Sequence, residues 1–104
     1  MSDRIAQFSA LVTQQPENAL FRFSLAQALQ SAGSDRQAEA IEHYQLCVEA
    51  RADWMMPRIL LGKLLISTGK AAKARPILEE ALSLAIRQDH EEPAAELRGI
   101  LDNL

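Results

Sequence analysis

The chain has 104 residues and 11.5 kDa, room for one modest core and no second domain. Hydrophobic residues make up 48% and charged residues 24%, with 4 Gly and 4 Pro, a globular composition and not a disordered one. A net charge of −3 repels phosphate backbones, and no apolar run is long enough to span a bilayer, so neither nucleic acid nor membrane is an expected partner.

The start, Met1-Ser2-Asp3-Arg4, lacks the basic and apolar regions of a signal peptide, and the single cysteine, Cys47, fits a reducing compartment, so a cytoplasmic location is expected. There are 17 Ala and 15 Leu against 2 Val, 7 Ile and 2 Thr. Straight-chain helix formers therefore dominate, and the expected fold class is all-α.

In chain order, Ile5, Phe8 and Leu11 recur at helical spacing before Pro16, which predicts a first helix within residues 2–16. A helix containing Leu25-Ala26 and Leu29 then runs toward Gly33, and Ser34-x-x-Gln37 reads as a capping box for the helix of Ala40, Tyr44 and Cys47. Asp53 is placed to cap a helix beginning near Trp54, which carries Leu61-Gly62 and Leu65 and stops near Gly69. The next helix bears Ala74, Leu78 and Ala81. It contains Pro76, which must face solvent because it removes a backbone hydrogen bond. After the polar linker of His90-Glu91-Glu92, Pro93 opens an amphipathic helix of Ala94, Leu97, Ile100, Leu101 and Leu104.

These segments repeat. Leu25 and Gly33 superpose on Leu61 and Gly69 with an offset of 36, while Ala40, Tyr44 and Cys47 superpose on Ala74, Leu78 and Ala81 with an offset of 34. The two-residue difference marks Ser34-Asp35 as an insertion. A helix, a glycine turn and a second helix at this period resemble the tetratricopeptide repeat. The large-small pairs Leu25-Ala26 and Leu61-Gly62 and the small-large-small sets resemble the same family's packing positions. The resemblance implies a right-handed superhelical stack of antiparallel helix pairs, about six helices in one domain, 1–104. It divides into an N-terminal capping helix at 2–16, repeats at 17–53 and 54–88, and a C-terminal capping helix at 89–104. The chain departs from the family where an aromatic residue is usual. Arg22 and Arg58 stand there, and their stems are expected over the preceding helix with the guanidinium at its edge.

Little in the sequence points to chemistry. Glu39, His43 and Cys47 share a helical face at i, i+4 and i+8, but Cys47 falls at a position the repeat needs small and buried, so no metal is expected. His90-Glu91 resembles the start of a metalloprotease motif whose second histidine is here Ala94. No cofactor and no enzymatic activity are expected.

What the resemblance implies is binding. In the family, the concave face is lined by the first helix of each repeat, at positions that are here Leu20, Phe23, Gln27 and Gln30, then Met56, Ile59, Lys63 and Ile66. Their spacing of 3, 4 and 3 keeps each set on one helical stripe. The Lys and Asn pattern that grips a C-terminal carboxylate is missing, since Phe23, Gln27 and Leu60 occupy those positions. The expected function is a non-catalytic adaptor holding an apolar or amphipathic segment of a partner protein. The alternative is a homodimeric structural or chaperone-like protein whose groove is buried by self-association.

Overall fold

A computed structural model describes residues 3–104, and it is all-helical, with no strand among the described residues. The helices are α1 (Asp3–Gln14), α2 (Ala19–Ser31), α3 (Gln37–Ala50), α4 (Met55–Ser67), α5 (Ala71–Arg87) and α6 (Glu91–Asp102). The expected start of the first helix at Ser2 lies outside the described residues. Contacts divide the chain into two compact units, one ending at Arg51 and one spanning Ala52–Leu104, two residues before the predicted repeat boundary. No helix among the described residues is long and apolar enough to cross a membrane.

In the first unit α2 packs on α1 and α3. The Cys47 Sγ lies 3.7 Å from the Ala19 carbonyl while Arg22 meets His43, so α2 and α3 run antiparallel. In the second unit α5 packs between α4 and α6. Gln88 near the end of α5 donates to the Asp53 carbonyl just before α4, and Arg75 near its start donates to the Leu104 carbonyl beyond α6. Both pairs in that unit are therefore antiparallel as well.

The small-large-small pattern is the core of each unit. Ala40, Tyr44 and Cys47 in α3, and Ala74, Leu78 and Ala81 in α5, are all 0% exposed. Small side chains let helix backbones approach, and the large one fills the space between them. Gly62 shows the tightest fit, because a Cβ there would lie 2.5 Å from the Cγ of Leu78. Tyr44 buries its ring and still satisfies its hydroxyl, which donates to Gln30 Oε1 at 2.7 Å. The terminal helices are more open: α1 has no fully buried residue and α6 buries Ala94 and Leu97. Pro76 is exposed, as expected of a proline six residues into a helix that must leave one carbonyl to water.

Local punctuation differs from expectation at three places. The Ser34–Gln37 capping box does not form. Ser34–Arg36 is instead a 3-10 turn, α3 starts at Gln37, and Arg36 before it makes no side-chain cap. That turn places Ser34 two residues before the Arg36 N-cap of α3, out of the capping position. Asp53 does not cap α4 either, since Trp54 occupies the N-cap position. Asn18 caps α2, where no cap was expected, its Oδ1 accepting from the Phe21 N–H at 3.2 Å.

The helix ends also differ from one another. Gly69, at φ +79°, closes α4 with paired bonds from its own N–H to the Ile66 carbonyl and from Lys70 to Leu65. Asp89, at φ +59°, closes α5 the same way, from Asp89 to Ile86 and from His90 to Ala85. Gly33, at φ +128°, instead leads from α2 into the 3-10 turn.

Candidate functional site

The eight stripe residues divide by environment. Leu20 is 57% exposed on α2 and Met56, 36 residues on, is 47% exposed on α4. Gln27 is exposed. Phe23 is half-buried, with its ring edge-on to Tyr44 at 5.9 Å between centroids, and Gln30 accepts the Tyr44 hydroxyl. Half of the first stripe therefore houses Tyr44.

In the second unit Ile66 is half-buried and Lys63 reaches Glu96 of α6 at 3.0 Å. An exposed pair of this kind stabilises by less than about 1 kcal/mol, so it orients the ammonium without locking it. Ile59 is the exception to the expected stripe. At 4% exposure it is part of the core and no contact for a partner.

Arg22 and Arg58 act as staples. Arg22 Nη2 donates to the Pro16 carbonyl at 3.2 Å, and Arg58 Nη2 donates to the Ala52 carbonyl at 3.1 Å. Each ties a helix to the backbone six residues earlier, at positions related by the same offset of 36. In the first unit Arg22 Nη1 also lies 3.1 Å from His43 Nδ1. The residue equivalent to His43 in the second unit is Ile77, which accepts no hydrogen bond, and Arg58 Nε is buried without a partner among the described residues. The guanidinium groups were expected at the edge of the preceding helix, and they reach instead the carbonyls of Pro16 and Ala52 in the segments before α2 and α4. Their recurrence six residues after Pro16 and Ala52 was the available signal.

The residues weighed for chemistry are not brought together. Cys47 Sγ faces the Ala19 carbonyl, His43 Nδ1 faces Arg22, and the Glu39 carboxylate pairs with Arg36. Burial pushes the Cys47 thiol up to about 11, far from the range of a nucleophilic or metal-binding thiolate. Burial likewise pushes the Tyr44 hydroxyl up to about 12. Among the described residues no group of three His, Cys, Asp or Glu side chains could hold a metal ion.

His43 gives the first unit a pH dependence. Burial and then the Arg22 guanidinium lower its pKa from 6.5, outweighing Glu42 and Glu39. A guanidinium only donates, so Nδ1 must be the unprotonated nitrogen. As pH falls below about 6.5, the unfolded chain takes up this proton before the folded one, so stability declines, and the decline ends once folded His43 is itself protonated. The melting temperature should thus drop more between pH 7.5 and 5.5 for wild type than for His43→Asn, which keeps an acceptor and cannot titrate. Equal drops would remove His43 from the account.

Compared with known proteins, the chain matches no family model and no curated protein.

Proposed function

We propose that the chain is a tetratricopeptide-type, non-catalytic interaction module in which each unit presents an exposed apolar side chain, Leu20 on α2 and Met56 on α4, to an apolar or amphipathic segment of a partner protein. The observation that carries this reading is the exposure of Leu20 and Met56 at equivalent positions of the two repeats. A single exposed apolar side chain is ordinary, and what sets these two apart is their recurrence at one repeat position. Phe23 and Lys63 flank these residues on the same helices, and Gln27 adds adaptable hydrogen bonding. The repeat reading rests on the offsets of 36 and 34, the buried small-large-small sets and the paired arginine staples.

A binding role without catalysis also agrees with the state of the polar groups, since Cys47 is buried and His43 and Glu39 are each tied to an arginine. The test replaces Leu20 and Met56 together by glutamate. Both are exposed, so the variant should keep its helicity, and it should lose the partner that the wild-type chain captures. Retention of that partner would overturn the reading.

A further inference from the structure

We propose that the depression between the start of α2 and the end of α3 docks an arginine side chain of a partner protein. It measures about 380 Å³ and is lined by Pro16, Ala19 and Leu46, with Glu17, Glu49 and Arg22 supplying its charges. Leu46 is 38% exposed, one of four large hydrophobic side chains left in water among the described residues. Arg22 is committed to the Pro16 carbonyl and to His43, and neither Glu17 nor Glu49 takes part in a salt bridge among the described residues. The site thus offers an apolar floor and two carboxylates against one occupied guanidinium.

The second unit shows what fits such a place. Its equivalent depression, lined by Asp53, Arg58, Glu80, Leu84 and Arg87, measures about 200 Å³. There the chain supplies its own cation, Arg87, whose Nη2 lies 3.5 Å from Glu80 Oε1. Without Arg87 this depression would hold two carboxylates and one stapling guanidinium, the same balance as the first. The residue 34 places before Arg87 is Asp53, so at that repeat position the first copy carries a carboxylate in place of the cation. A guanidinium suits the gap better than an ammonium, because it is planar and weakly hydrated and its stem can lie on Leu46. This site uses none of the eight stripe residues and stands independently of the function proposed for them.

The probe is the peptide acetyl-Ala-Leu-Arg-Ala-amide, titrated into the full chain and followed by backbone amide NMR, beside the same peptide with neutral citrulline for arginine. Saturable shifts are expected at Glu17, Leu46 and Glu49, at about millimolar concentration, weakening as salt is raised. The citrulline peptide and the Glu17→Gln/Glu49→Gln variant should each bind at least about fivefold more weakly, the variant's spectrum being otherwise unchanged. Arg87→Ala should open a second set of shifts at Asp53 and Glu80. Equal binding of the two peptides, undiminished binding by the double glutamine variant, or no second site in Arg87→Ala would each overturn the proposal.

Discussion

Ile59→Glu is expected to unfold the second unit, whereas Leu20→Glu should leave the helical signal and the melting temperature nearly unchanged. The two positions lie on corresponding stripes of α4 and α2, yet Ile59 is 4% exposed and Leu20 57%. Losing the isoleucine forfeits roughly 1.5–3 kcal/mol of burial, and a carboxylate in its place adds several kcal/mol of desolvation or must take up a proton. Against a total stability of about 5–15 kcal/mol for a domain of this size, that sum removes most of the margin. Circular dichroism melts of the two variants check it. A cooperative melt of Ile59→Glu within a few degrees of wild type would place Ile59 on the surface and restore it to the binding stripe.

Gly62→Ala is the second large effect, and its sign runs against helix propensity. In an exposed helix the change stabilises by about 1 kcal/mol. Here the new methyl group meets Leu78, which is 0% exposed and held in α5 between Ala74 and Ala81, themselves 0% exposed. Leu78 has nowhere to go, so a net loss of about 1–3 kcal/mol is expected, enough to lower the melting temperature by several degrees. Gly99 on α6 has nothing within 4 Å of a built Cβ, so Gly99→Ala should gain stability where Gly62→Ala loses it. Leu78→Ala alone should cost about 2–5 kcal/mol, and in that background Gly62→Ala should cost little or nothing. Additive losses in the double variant would show that the contact is not the cause.

The features readable from the sequence were those set by packing between neighbouring turns of helix. Ala40, Tyr44 and Cys47, like Ala74, Leu78 and Ala81, have one possible environment once a period near 34 is recognised, and all six are buried. Pro76 is legible for a similar reason and is exposed, since only the solvent face of a helix tolerates the missing hydrogen bond.

Caps were less readable because they depend on the backbone path of a few residues. Ser34 has the right spacing to Gln37, but it lies in a 3-10 turn that ends before α3 begins. The stripe was readable in direction but not in depth. Spacing puts Met56 and Ile59 on one side of α4, and only tertiary packing makes one 47% exposed and the other 4%. Arg22 and Arg58 read as departures from a family pattern, and their targets are backbone carbonyls, marked in the sequence only by the shared spacing of six residues.

The central claim is that Leu20 and Met56 are left exposed to contact another protein. Its most direct test is affinity capture from the chain's native cells by the full wild-type chain beside Leu20→Glu/Met56→Glu at matched helicity, with light scattering on the purified chain to identify self-capture. The account predicts a wild-type mass near 11.5 kDa and a heterologous protein retained by wild type and lost by the variant. A wild-type mass twice that value which the variant returns to monomer, or one set of proteins retained equally by both, would contradict it.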